Sequence, residues 1–427
     1  MAFTFTRITN TDTPIPNDTE NFAGFGYYID FTDFSDLMGP AINDSGGIAF
    51  LGRNSENQTG IYTYIDGFNV VADTNTLIPD NPIPDETDTF VSFLPPTINN
   101  NGNVAFTGIL AFNDFGIPTL FDTGIYTNID GLNRVVDIST PIPGSTETFD
   151  SLSLFATLND NGNVAFSGIS YNDEDSFPTI SSEGIYTNIG GINLIADTNT
   201  PIPGETDNFE SLGFVSINNN ETVALTGYNS NFFPAIYSYS EGDLTAIENH
   251  FIAPVLNNND EIVFNSGYGI LTNIGGINLV ADINTSIPDG IGNFTGFTSE
   301  VFDPFNSIES DAYSINDNGK VAFVGVGTNE QQGIYTNLNG ILEKVVDRNT
   351  LLDGKTIKDL AFGPKGLNEN QIAFTALFTD GTEGIYVATN TPTLPPPTPE
   401  TVPEPSMILG LIVLGSLILG GTRKFKH

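Results

Sequence analysis

Apolar and polar positions alternate along most of this chain in short runs, cut at intervals by Asn- and Gly-rich turns. The clearest case is Ile315-Asn316-Asp317-Asn318-Gly319-Lys320-Val321-Ala322-Phe323, followed downstream by Gly333-Ile334-Tyr335-Thr336-Asn337. Versions of this pair begin at Ile42, Ile98, Leu158, Ile217, Leu256, Ile315 and Leu367, at spacings of 56, 60, 59, 39, 59 and 52 residues. Such a period marks a repeated supersecondary unit that cannot bury its apolar face alone. The third unit reads as four strands. Phe149 to Leu158 runs into the turn Asn159-Asp160-Asn161-Gly162, and the second strand is Asn163 to Gly168. A polar insertion precedes the third strand, Gly184 to Ile189, and Gly190-Gly191 turns into the fourth, Ile192 to Asp197. Asn and Asp tolerate left-handed backbone angles and Gly takes them freely, so these connections are tight turns.

Four short antiparallel strands repeated seven times predict an all-β, seven-bladed β-propeller over residues 1–390. The last unit stops after its third strand, Gly384 to Ala388, while Arg7-Ile8-Thr9-Asn10 through Pro14-Ile15-Pro16 reads like a fourth strand and exit loop without its predecessors. The strand at residues 3 to 10 is therefore predicted to complete the last blade and leave no open sheet edge. The fourth unit is compact, with 19 positions from Tyr237 to Leu256 where the third has 31 from Tyr186 to Ile217.

Composition narrows the chemistry. The 52 acids against 12 bases give a formal charge of −40, which repels nucleic acid and anionic lipid and attracts cations. There is no Cys, so disulfides and thiolate chemistry are excluded. The two histidines, His250 and His427, are too few for ordinary zinc sites and make a Ser-His triad a poor reading. An enzyme here would work with carboxylates, Tyr or a hard metal ion.

Beyond Ala388 the chain changes character. Residues 391–401 form a Pro-rich spacer, and residues 402–427 hold Val402-Pro403-Glu404-Pro405-Ser406, an apolar run from Met407 to Gly421, and the bases Arg423, Lys424 and Lys426. The run predicts a single hydrophobic helix of about 22 Å against a bilayer core of about 30 Å. These three parts in order resemble a PEP-CTERM sorting signal. The resemblance implies export, recognition by an exosortase, membrane association through the helix before processing, and release to the cell surface or an exopolysaccharide matrix. Proteins of this kind carry an N-terminal export signal. The stretch from Met1 to Arg7 lacks one, which is read as a start placed too far downstream. The repeats also resemble an uncharacterised family of propeller-like repeats of bacterial surface proteins, with Asn-Asp-x-Gly and Gly-Ile-Tyr motifs, and that resemblance implies no activity.

Three sets of residues are candidates for chemistry. The Asn/Asp turns, from Asn43-Asp44 to Asn316-Asp317-Asn318, offer oxygens to Ca2+ but lack the spaced acidic pattern of a calcium loop, and turn chemistry accounts for them. Asp73, Asp137, Asp197, Asp282 and Asp347 close the fourth strands, where they could line a mouth or accept hydrogen bonds from the adjoining turn, the favoured reading. Asp173, Glu174 and Asp175 sit in an insertion, as a solvated acidic loop or a Ca2+ site. The recurring Tyr62, Tyr126, Tyr186, Tyr237, Tyr335 and Tyr386 are expected between blades rather than on a ligand platform.

The functional expectation is a non-enzymatic extracellular module that binds polysaccharide or another surface partner, with Ca2+ as an assisting ion. The alternatives are a carboxylate glycoside hydrolase or lyase, which needs two acids at a defined separation, and a structural matrix protein with no specific ligand.

Overall fold

The computed structural model describes residues 2–29, 34–81, 89–112, 121–153, 156–172, 179–249, 252–297, 312–328 and 331–391. These residues form seven antiparallel sheets and one small hairpin, Gly26–Ile29 with Phe34–Leu37. The predicted all-β, seven-bladed propeller is the observed architecture. Within a blade the strands run as a meander. In the third blade Thr157–Leu158 pairs with Val164–Asn172, then Thr179–Thr187, then Asn193–Asp197. The predicted C-terminal helix and the sorting-signal residues lie outside the described residues.

The seventh blade joins both ends of the chain. Ala2–Asn10 pairs antiparallel with Glu383–Thr391, in a register that sets Thr4 opposite Thr389 and Arg7 opposite Tyr386. The N-terminal segment thus covers the edge that the last repeat leaves open. Asn10 also reproduces the fourth-strand ending of the other blades, since its Oδ1 accepts from Thr13 Oγ1 and from the Asp12 amide.

The first strand of the third blade differs from the uninterrupted run expected of residues 149 to 158. In the third blade Ser151–Leu152 and Thr157–Leu158 both pair with the second strand but are separate. The second blade shows the physical reason for such a break. Pro95 and Pro96 have no N–H to give the ladder, and they sit between Ser92–Phe93 and Thr97–Ile98.

Each apolar core lies between two neighbouring blades, and period-two alternation feeds both sides of every sheet. In the third blade Val164, Phe166 and Tyr186 pack toward the second blade, while Ala165, Ile185 and Ala196 pack toward the fourth. The bulkier face of one blade meets the small-residue face of the one before it, which allows close approach. A further Phe enters each of five seams: Phe22, Phe90, Phe149, Phe209 and Phe294. Each lies over a Gly of the second strand. A Cβ at Gly168 would stand 2.5 Å from the Phe149 ring, and one at Gly108 2.6 Å from Phe90. The recurring tyrosines are core residues, as expected. The Phe149 ring meets Tyr186 edge-on, Phe166 stacks on it, and burial raises its phenol pKa to about 12. The Gly of Gly-Ile-Tyr leaves room for the folded-back hydroxyl, since a Cβ at Gly184 would meet the Tyr186 hydroxyl at 2.8 Å.

Candidate functional site

A four-stranded meander puts its first and third turns at one end of the ring and its insertions and exit loops at the other. The Asn turns therefore share one end. In each turn the leading Asn folds over its own backbone. The Oδ1 of Asn218 accepts from the amides of Asn220 and Thr222, both at 3.0 Å. That leaves its Nδ2 free to reach out of the blade. Nδ2 of Asn43 donates to the main-chain oxygen of Asn99, Asn99 to Asn159, Asn159 to Asn218, Asn218 to Asn257, Asn257 to Asn316, and Asn316 to Asn368. Asn368 returns the bond to Asn43. Seven buried asparagines thus form a closed circuit through every blade. The turn reading holds, but it is half of what these residues do. Asn368 lies outside the turns singled out from sequence because its turn, Asn368-Glu369-Asn370-Gln371, carries Glu where the other turns carry a second Asn or Asp.

The next position makes a second, inner ring: Asp44, Asn100, Asp160, Asn219, Asn258, Asp317 and Glu369. Along much of this ring, main-chain amides donate to the side-chain oxygen of the following blade. Asp44 donates to Asn100, Asn100 to Asp160, Asp160 to Asn219, Asn219 to Asn258, and Asn258 to Asp317. Amide side chains also tie the carboxylates together. Nδ2 of Asn100 reaches Asp44 Oδ2 at 2.7 Å and Asp160 Oδ2 at 3.0 Å, and Nδ2 of Asn219 reaches Asp160 Oδ2 at 2.6 Å. Asp44 has its pKa raised, by burial first and by the charges of Asp317, Asp160 and Glu369, which outweigh the Asn100 hydrogen bond. Beside this ring, the main-chain oxygen of Lys365 in the seventh blade accepts from the Ile42 amide at 2.8 Å, two residues before Asp44. Burial lowers the pKa of its ammonium against the opposing pull of Asp317, Asp160 and Asp44.

The fourth-strand acids take the structural role expected of them. The Oδ1 of Asp197 accepts from the Asn199 amide at 3.0 Å and from Thr200 Oγ1 at 2.7 Å, and Asp73, Asp137, Asp282 and Asp347 repeat the arrangement. They stabilise their own exit turns and converge on no mouth. Asp173, Glu174 and Asp175 lie outside the described residues, as do Val402, Pro403, Glu404, Pro405, Ser406, Arg423, Lys424 and Lys426. Among the described residues no group of three acids or histidines could hold a metal ion directly.

Two buried carboxylates stand apart from these sets. Glu183 and Glu383 immediately precede the Gly-Ile-Tyr of the third and seventh blades, and burial raises the pKa of both. Each is spent on the next blade. Glu383 accepts the Phe25 amide at 2.6 Å and faces Arg53 at 3.4 Å, and Glu183 accepts from Ser211 Oγ at 3.3 Å. A hydrolase needs two such acids within about 5–9.5 Å of each other. These two belong to separate seams. A small cavity bordered by Pro288, Gln331, Tyr335 and Asp347 measures about 20 Å³, room for a water rather than a sugar.

Residues 30–408 match a family model described as a family of unknown function, DUF7453. No curated protein matches the sequence. Among solved structures, a puromycin hydrolase is similar at 9% identity and a TM-score of 0.46, covering 83% of this chain and 53% of that one. A Mycobacterium tuberculosis puromycin-hydrolyzing peptidase aligns at 11% identity and 0.44, over 85% of this chain and 56% of its own. The β-propeller domain of the Trilobed protease from Pyrococcus furiosus aligns at 10% identity and 0.42, over 85% and 95%. This chain spans about half the length of the two hydrolytic enzymes.

Proposed function

The chain belongs to the family of unknown function DUF7453, and we propose that it is a non-enzymatic display module of the cell surface or extracellular matrix that binds polysaccharide or another surface partner. One observation carries this reading over the hydrolase: the recurring acids are engaged by the fold's own hydrogen bonds. Asp197 and its equivalents hold exit turns, Glu183 and Glu383 hold seams, and Asp44, Asp160 and Asp317 of the inner ring accept from asparagine amides. A catalytic pair needs one carboxylate free to give a proton and another free to attack or to activate water. The address rests on the tail, where Pro403-Glu404-Pro405, the apolar run and Arg423-Lys424 supply the three parts an exosortase reads.

The test mixes the full-length protein with the exopolysaccharide of the producing cells, with and without Ca2+. Co-sedimentation and newly formed reducing ends are measured in the same tube. Co-sedimentation without new ends is the expected result. New ends would overturn the reading, and neither signal would leave a purely structural protein.

A further inference from the structure

The second turn of the fourth blade departs from a rule that the rest of the ring keeps. Asn229-Ser230-Asn231-Phe232-Phe233 joins Val223–Tyr228 to Pro234–Ser240 and is built like the Asn turns at the other end. The Asn229 amide donates to the Phe233 oxygen at 3.2 Å, the Phe232 amide donates to the Asn229 oxygen at 2.8 Å, and Asn229 Oδ1 accepts from the amides of Asn231 and Phe233. The fourth residue of this turn takes a left-handed backbone. Elsewhere it is Gly46, Gly102, Gly319, Asn57, Asp260 or Glu221, glycine or polar in each case. Here it is Phe232, at φ 58°, and among the described residues no other aromatic side chain stands on such a backbone. A bulky side chain is disfavoured there, and burial returns nothing, since Phe232 is 64% exposed. The fold itself has no use for this ring where it stands.

Its surroundings select what can use it. Phe233 beside it is 54% exposed, and Tyr268, in the second turn of the fifth blade, is 72% exposed. The two turns belong to neighbouring blades at the insertion end, so these aromatic rings share one sector of that end. Acids flank them. Ser230 Oγ donates to Asp207 Oδ2 at 3.4 Å, and Gly269, next to Tyr268, pairs with Asp282. No Lys or Arg occurs between Arg134 and Lys320, so the third, fourth and fifth blades hold neither of these permanent positive charges. The field over the rings is therefore negative, which repels anionic polymers and lipid surfaces and draws basic groups. Aromatic faces attract ammonium and guanidinium groups through their quadrupole and cover the aliphatic stems of the same side chains. The chain passes beyond Thr391 at the Asn-turn end, which leaves this sector on the side turned away from the tail.

We propose that Phe232, Phe233 and Tyr268 form the docking surface for a basic segment of a partner protein, whose Lys or Arg side chains lie over the rings beside Asp207 and Asp282. The inference rests on the reading of the molecule as a binding module and gives the surface partner of that reading its chemistry.

Phe232→Asn tests this in the full-length protein, because Asn57 shows that the same turn accepts Asn at that position. The probe is a fluorescent peptide alternating lysine and leucine, read by anisotropy at low ionic strength beside its glutamate-for-lysine counterpart. The unaltered protein should bind the lysine peptide and not the glutamate one. Phe232→Asn should bind the lysine peptide roughly fivefold more weakly and Tyr268→Ser roughly threefold, while the thermal midpoint of Phe232→Asn rises by roughly 1–2 °C as the backbone is relieved. Unchanged binding in both variants would reduce it to general attraction by an acidic surface and overturn the proposal. A lowered midpoint in Phe232→Asn would make the ring a packing residue and overturn it as well. Co-sedimentation with exopolysaccharide should be the same for Phe232→Asn and the unaltered protein. Its loss in the variant alone would assign the rings to the sugar polymer instead. Its absence from both would count against polysaccharide binding alone, and the peptide arm would still decide this proposal.

Discussion

The side-chain amide of Asn368 donates to the main-chain oxygen of Asn43 across 2.9 Å, although 325 positions separate the two residues. The bond joins the last repeat to the first by the same device that joins each intermediate pair. Ring closure therefore has two independent supports, this amide circuit at one end and the N-terminal strand along the outside of the seventh blade. Breaking either has a distinct signature.

Replacing a circuit asparagine removes an acceptor for its own turn and a donor to the next blade. Asn218→Ala should cost about 2–4 kcal/mol, because the amides of Asn220 and Thr222 and the Asn257 oxygen lose partners together. Asn101 gives one exposed bond to the Asp160 oxygen, and Asn101→Ala should cost less than about 1 kcal/mol. Denaturant unfolding of both variants measures the contrast. Equal costs would mean that the circuit adds nothing beyond an ordinary turn.

Removing the N-terminal strand tests the other closure. Deleting residues 1–10 uncovers the edge of Glu383–Thr391, and exposed edges recruit other chains. Size-exclusion chromatography should show self-association, reduced by a peptide spanning residues 2–10. A monodisperse monomer of unchanged midpoint would show that the strand is dispensable.

The Phe-over-Gly seams predict a steric effect. Gly168→Ala places a methyl 2.5 Å from the Phe149 ring, in a strand buried on both sides, and should destabilise by about 1–3 kcal/mol. Gly131→Ala has open space around it and loses only through its positive φ of 112°. The same unfolding series shows whether packing or backbone conformation dominates.

Glu183 predicts a pH dependence with a definite sign. Its folded pKa is raised above the ordinary value of 4.5 by burial, so the native state holds the proton more tightly than the unfolded chain. The group's stabilising contribution is full below the unfolded pKa and is lost as pH rises through the folded one. Glu183→Gln keeps an acceptor for Ser211 without the charge, so its midpoint should exceed that of the unaltered protein at pH 7. The advantage should shrink as pH falls toward 4.5. A constant difference across this range would exclude desolvation as its cause.

Much of this architecture can be read from the chain, and the limits follow from distance along it. The blade count and the split seventh blade follow from local repeats such as Asn316-Asp317-Asn318-Gly319. The role of Asp197 was also legible, because its partners are two and three residues away. The reach of Asn43 to Asn99 was not, since no local pattern says where a spare amide points. The seam phenylalanines left a signal that went unused: Phe149 and Phe209 each follow a Pro-Ile-Pro by six positions. Lys365 left none, because it occurs once, in a segment without counterpart in the other blades.

The closed amide circuit also bears on how the molecule comes apart. A linear array of repeats has terminal units with one neighbour each, and these open first and exchange their amide hydrogens fastest. Here Asn43 and Asn368, which would head and tail such an array, are bonded to each other, so neither the first nor the last repeat is a free end. Exchange protection should be much alike in the second strands of all seven blades, falling in concert as denaturant is added. A single cut in one exit loop would create the missing ends, and protection should then decay outward from the cut.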